Sequence, residues 1–429
     1  MAQSQSIIDA TESRLAVLEM PYGAGWATSA RRDALARFRQ LGLPGPRDEY
    51  WRFTRPDALN AQTAAKAELF DAREVPVFDG IDRLKIVFRD GVFDPEASDD
   101  FQEEALEIER LTDAMSTDIH WAKDLYGVLE VRGQTPVARP FAALNTAFAT
   151  DGVVIRATGQ VSRPVSLIYL HENTTSDAIL HFVIKIEDGA DLTILENGPA
   201  AARFNKCMEV EIADNAEFHH VRTQGRDHER QAVTHIFARL GSESLFKSFT
   251  LTANGRITRN EAFIEMIGDS SVAHIAGAAL GDGDFHHDDT VFVTHDAVNG
   301  ESRQVFKKVL RNGAVGAFQG KILVKDGAQK TDGYQISQAL LLDDDAQFLA
   351  KPELEIYADD VACSHGSTSG AIDEDALFYL RARGVSRADA QDLLTLAFLA
   401  DAIEEIENDA IAQDIHSRLD GWLSRRRQG

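Results

Sequence analysis

Asp188-Gly189-Ala190-Asp191, Asp214-Asn215-Ala216-Glu217, Gly241-Ser242-Glu243-Ser244 and Gly268-Asp269-Ser270-Ser271 are four polar turn sequences, each followed by an apolar residue. Their starts advance by 26, 27 and 27 residues. The intervening runs are rich in Val, Ile, Phe and Thr, the residues that suit a pleated strand. A repeat of this length, built from strands and tight turns, predicts a solenoid, because each coil can bury its inner face only against the neighbouring coils. The leucine-rich-repeat signature is absent, which favours a β-helix.

The same texture extends outward in both directions. Lys85-Ile86-Val87-Phe88 and Ala178-Ile179-Leu180-His181-Phe182-Val183-Ile184 read as strands, and the stretch 84–370 is taken as the β-helix core. Later turns at Asn312-Gly313, Asp326-Gly327-Ala328, Asp343-Asp344-Asp345 and Asp359-Asp360 lie closer together, as expected where more than one turn of each coil becomes visible.

Residues 1–83 form a helical region and linker. Ile7, Leu15 and Leu18, then Leu35, Phe38 and Leu41, recur at helical spacing and stop at Gly42-Leu43-Pro44-Gly45-Pro46, which predicts a small helical cap. In 371–429, Asp373 is placed to cap a helix ending at Gly384, and Ser386 with Asp389 to start a second through about Ile406. A third amphipathic stretch runs toward Arg427. These helices are expected to close the open end of the solenoid, with partner docking as an added role.

With 429 residues, 44% of them hydrophobic, the chain can bury a large core. Its 44 Lys and Arg against 69 Asp and Glu give a net charge of −25, which repels a phosphate backbone and argues against nucleic acid. No apolar run is long enough to span a membrane, and Met1 to Glu12 lacks the basic and apolar regions of a signal peptide, so a cytoplasmic location is expected. Cys207 and Cys363 are the only two cysteines, too few for a disulfide framework or a zinc knuckle.

The chemistry-bearing stretch is Tyr357-Ala358-Asp359-Asp360-Val361-Ala362-Cys363-Ser364-His365-Gly366. In extended backbone, residues two apart share a face, so Cys363 and His365 are expected side by side as a thiolate and imidazole pair for iron or zinc. The bland alternative is a structural Cys-x-His. Clusters generally need about four protein ligands, mostly thiolates, so anything larger than one ion requires ligands from a partner. A second candidate is His286, Asp288 and His295, which would make the chain a metal-dependent all-β enzyme; a polar solenoid turn is the plainer reading. His219-His220 is weaker, since adjacent strand residues face opposite ways.

Gly316-Ala317-Phe318-Gln319-Gly320-Lys321-Ile322 has only three residues between its glycines and Ile322 where a phosphate loop has Ser or Thr, which excludes nucleotide binding there. No Gly-x-Ser-x-Gly elbow is present, so covalent catalysis has little support. A carbohydrate-active β-helix enzyme would need an acid pair and sugar-stacking aromatics that are not evident.

Those residues also carry a resemblance. Gly316 to Ile322, followed by Gly327-Ala328-Gln329-Lys330-Thr331-Asp332-Gly333-Tyr334-Gln335, resembles the core of the SufB/SufD family of iron–sulfur cluster assembly proteins. Lys351-Pro352-Glu353-Leu354-Glu355-Ile356-Tyr357-Ala358-Asp359-Asp360-Val361, Cys363-Ser364-His365-Gly366 and Phe378-Tyr379-Leu380-Arg381-Ala382-Arg383-Gly384 resemble the SufD branch in particular. Arg47 to Thr54 and Phe141 to Phe148 are similar to SufD segments as well.

The resemblance implies a right-handed parallel β-helix between helical terminal regions and a non-catalytic subunit that pairs with a SufB-like chain. It also implies a SufC-like ATPase docked on the C-terminal helices and a possible homodimer when the partner is missing. By the same resemblance, a transient iron–sulfur cluster or iron sits at the interface, shared between chains and not held tightly by the isolated chain. SufB supplies the main cysteine ligand; His365 matches the SufD histidine and Cys363 the neighbouring cysteine. Cys207 matches no ligand position and reads as structural. Some family complexes carry a reduced flavin, for which the sequence shows no dinucleotide fingerprint.

Overall fold

The computed structural model of the chain describes residues 5–69, 76–225 and 228–426. Strands alternate between two sheets that face each other. The first runs, from its free edge, Ala362–Gly370, Asp332–Leu341, Glu301–Arg311, Val272–Asp282, Leu245–Ala253, Glu217–Gln224, Asp191–Asn197, Val165–Leu170 and Leu84–Arg89, with Val92–Phe93 folded back on the last. The second runs Gln347–Ile356, Val315–Val324, His286–His295, Ile257–Met266, Gln231–Leu240, Arg203–Ile212, Asp177–Ile186, Val153–Ala157 and Leu106–Arg110. From Val153–Ala157 and Leu84–Arg89 onward pairing is parallel, each coil contributing one strand to each sheet, and only the starting strands Leu106–Arg110 and Val92–Phe93 run antiparallel to their neighbours. The molecule is a parallel β-helix.

Because the partners are in register, like faces stack on like. One inward ladder passes through Ile184, Val210, Ala238, Ile264, Val293 and Ile322, all buried. The side-chain period of two sends the next residue outward on every coil, so one apolar ladder per position specifies the register of the whole stack.

The turns behind the repeat lie along one edge. There Gly189, Asn215, Glu243, Ser270, Asn299 and Lys330 all take positive φ, between 55° and 67°. Each donates its backbone N–H to the turn of the next coil: Gly189 to Asp214 O at 3.0 Å, Asn215 to Ser242 O at 2.9 Å, Glu243 to Asp269 O at 2.8 Å and Ser270 to Val298 O at 2.9 Å. Turns at Asn312-Gly313 and Asp343 to Asp345 belong to the opposite edge, between Glu301–Arg311 and Val315–Val324 and between Asp332–Leu341 and Gln347–Ile356. The later turns therefore alternate between two edges, which is why their spacing halves.

The outer faces carry broad apolar patches among buried polar groups such as Glu209 and Asp288, and helices cover them. Helices Gln5–Leu15, Gly25–Leu41 and Pro140–Phe148 lie on the second sheet, where Phe38, Trp51, Leu144 and Phe148 pack with Ile179, Val183, Cys207, Val233, Phe237, Phe263 and Phe292. The helix ends at Gly42, at a φ of 70°, as its sequence requires. Helices Arg387–Ile403 and Asp409–Arg426 lie on the first sheet, with Leu399, Ile403, Ile411, Ile415, Leu419 and Trp422 against Val221, Phe249, Leu251, Ala276, Ala278, Val305 and Val309. A sheet covered on both faces loses the clean apolar–polar alternation of a half-exposed one.

Two expectations are corrected. The terminal helices do not cap the ends of the solenoid; they lie along its sides, because outward residues such as Phe249 and Phe237 offer more apolar surface than a strand edge does. The last coil is consequently uncovered: no residue of Gln347–Ile356 or Ala362–Gly370 is fully buried. The second correction concerns 111–148, which is not strand but the helical segments Leu111–Ser116, Trp121–Asp124, Val128–Arg132 and Pro140–Phe148. The C-terminal helix starts match the sequence: Asp373 accepts from the N–H groups of Asp375 and Ala376, and Ser386 from that of Asp389.

Candidate functional site

Cys363 and His365 lie on the final strand of the first sheet, Ala362–Gly370, which is paired on one side only. Their register partners on the preceding coil are Gly333 and Gln335. Both candidates share the inward face, as the spacing predicts, and with no further coil beyond them they line the open end of the solenoid.

Cys363 is half-buried against Ile322, Val324, Ala328, Ala358, Leu354 and Val361. Gly333 makes room for it, since a Cβ there would stand 3.2 Å from the Cys363 sulfur. Burial raises the thiol pKa, the Asp332 carboxylate adds to this, and a hydrogen bond with the Gly333 backbone opposes it. At neutral pH the group is therefore a thiol, and a metal ion or partner would have to draw off its proton. His365 is exposed. Among the described residues, no three His, Cys, Asp or Glu side chains gather into a metal-binding group, at the open end or elsewhere.

His286, Asp288 and His295 do not form a site. His286 and Asp288 share the outward face and meet Thr54, whose hydroxyl lies 2.9 Å from His286 Nε2 and donates to Asp288 at 2.6 Å. Asp288 also pairs with Arg259 and accepts from Gln319. His295, an odd number of residues along the same strand, points inward, where its Nε2 lies 2.8 Å from the Ser302 hydroxyl. The period of two separates them, and the metal-enzyme alternative falls. His219 and His220 likewise part, His220 turning inward to Glu196 and His219 outward toward Glu407. Gly316 to Ile322 lies within the strand Val315–Val324 and makes no loop. Cys207 is fully buried beneath the N-terminal helices.

Sequence reasoning missed a polar network inside the solenoid. Glu196 takes a hydrogen bond from Tyr169 at 2.7 Å, pairs with Lys206 and lies 2.6 Å from His220 Nε2. Further along the lumen, Asn260 meets His287 at 3.0 Å, and Lys308 donates to Asp289 at 2.6 Å. Burial lowers Lys206 to about 8 although Glu196 opposes it, and lowers His220 to about 4. The only signal available was parity: each of these side chains sits where the period of two calls for an inward, apolar residue.

The wider comparison agrees with this architecture. Residues 169–398 match the family described as SUF system FeS cluster assembly, SufBD core domain. The chain is 27% identical over 399 residues to the iron–sulfur cluster assembly protein SufD of Escherichia coli, covering 90% of each chain. It is 26% identical over 425 residues to an iron–sulfur cluster assembly SufBD family protein of Synechocystis, covering 94% of this chain and 90% of that one. The SufD of Bacillus subtilis is 27% identical over 290 residues, 65% of each. A double-sheeted β-helix whose matched core spans most of its coils, with relatives aligned nearly end to end, makes this chain a SufD-like member of the SufBD family of iron–sulfur cluster assembly proteins.

Proposed function

We propose that this chain is a non-catalytic subunit of a cytoplasmic cluster-assembly scaffold, and that its open last coil is the surface on which a SufB-like partner completes the ligand set for a nascent cluster or iron. The observation that carries this is the uncovered final coil, which holds Cys363 and His365 on an exposed sheet edge with no third His, Cys, Asp or Glu grouped with them among the described residues. An unpaired strand edge is a template for another strand, and two shared ligands release a cluster more readily than four cysteines of one chain would. A second copy of this chain could use the same edge when the partner is missing.

For a SufC-like ATPase the C-terminal helices are the proposed dock. Phe378, 74% exposed, and Tyr379, 56% exposed, stand out from the short helix Glu374–Ala382 and offer an apolar anchor.

Edge blocking tests the pairing. The Ala362 N–H is spent on Thr331 O, and alternate residues of a parallel strand point the other way, so the N–H of Ser367 faces the free edge. Ser367→Pro removes that donor where a proline is tolerated. In cells expressing all three chains, the variant is expected to lose the SufB-like chain on size exclusion while retaining the SufC-like one. Continued stoichiometric migration of all three would contradict the proposed surface.

A further inference from the structure

Gly320 and Gln335 belong to the two most family-like stretches of the sequence, yet neither is a metal ligand. Gln335 is the register partner of His365, and Gln304 is in turn the register partner of Gln335, so the three form one inward ladder that ends at the open coil. Both glutamines are fully buried. Gln335 donates from Nε2 to Gln304 Oε1, one coil back, at 2.8 Å. Its amide also lies against bare backbone of the facing sheet: a Cβ on Gly320 would stand 2.3 Å from Gln335 Nε2 and 2.7 Å from its Cδ. The amide nitrogen is thus engaged by the coil behind it, and Gly320 leaves room for the amide on the facing sheet.

With its N–H directed backward, Gln335 keeps a buried carbonyl oxygen that has no hydrogen-bond partner among the described residues, the His365 imidazole in its present rotamer included. A buried acceptor left without a donor is costly. The next residue in the ladder, about 4.8 Å onward at ordinary strand spacing, is His365. Neutral imidazole has one nitrogen that donates and one that accepts, and the hydrogen bond made by one decides what the other can do.

We propose that Gln335 is a positioning residue for His365: its side-chain oxygen takes the protonated imidazole nitrogen, leaving the lone pair of the other nitrogen toward the open end for a metal ion. The inference rests on the reading of His365 as a ligand, but its first test requires no metal. Uniform labelling of the histidines with nitrogen-15 in the full chain, held at one pH, reports the tautomer of His365, identified by loss of its signals in His365→Ala. One tautomer is expected to dominate. Gln335→Leu, which removes the acceptor, is expected to shift the tautomer ratio by roughly three- to tenfold. Gln335→Glu, which keeps an acceptor at the same reach, is expected to retain it.

A second readout is iron per complex assembled with the SufB- and SufC-like chains, expected to fall severalfold in Gln335→Leu with assembly unchanged. An unbiased tautomer mixture in the wild type would overturn the proposal without any variant having to fold, and so would a ratio indifferent to Gln335→Leu. The metal-free tautomer result stands apart from the ligand role of His365, which cluster yield in His365→Ala decides.

Discussion

At the scale of single residues, the lumen is the unusual part of this molecule. Lys206 and Glu196 are both fully enclosed, and burial that would push Glu196 upward is outweighed by Lys206 and His220, which hold it well below the usual carboxylate range. Removing one member leaves an uncompensated charge in a dry interior. Lys206→Met is therefore expected to cost about 3–5 kcal/mol in urea unfolding, and pairing it with Glu196→Gln to restore a large part. The Cys363–His365 pair was legible in the sequence because it depends only on the two-residue period of a strand. Glu196, Lys206 and Gln335 were not, because that same period predicts apolar side chains where they stand, and only the register between coils brings their partners to them.

At the scale of elements, the turns set the coil. Glu243, Ser270 and Lys330 occupy a left-handed position that Gly189 fills without strain, and side chains at such positions cost on the order of 1 kcal/mol. Glu243→Gly keeps the bond to Asp269 O and is expected to raise stability by up to about 1 kcal/mol, read as a higher urea midpoint. The turn spacing made the solenoid readable, and Asp373 and Ser386 made two helix starts readable. Pro140–Phe148 escaped because all nine of its residues are buried and no polar face marks a helical period. Its Asn145 donates to the carbonyls of Leu180 and Asn205, each at 3.0 Å, a tether to the sheet that spacing along the chain cannot show.

At the scale of the whole molecule, helices on both flanks bury the outer faces and leave one end open, a placement that amphipathic patterning alone did not distinguish from end-capping. The depth of burial, in the lumen and under the helices, has a consequence for acid. Burial lowers His220, His235 and His295 each to about 4 from an ordinary value near 6.5. The unfolded chain then takes up protons before the folded one as pH falls, so their contribution is intact above about 6.5 and is lost on the way down to about 4. One such histidine corresponds to on the order of 3 kcal/mol, and urea midpoints are expected to drop steeply across that window and to level off above it. The measurement that bears most directly on the central claim is cluster content, by iron and sulfide analysis, of the complex purified anaerobically from cells expressing this chain with its SufB- and SufC-like partners. Wild type would be compared with His365→Ala, and assembly followed by size exclusion. The account predicts an intact complex whose cluster content collapses in the variant; an intact complex with full cluster content would contradict the assignment of the open coil as the ligand-bearing surface.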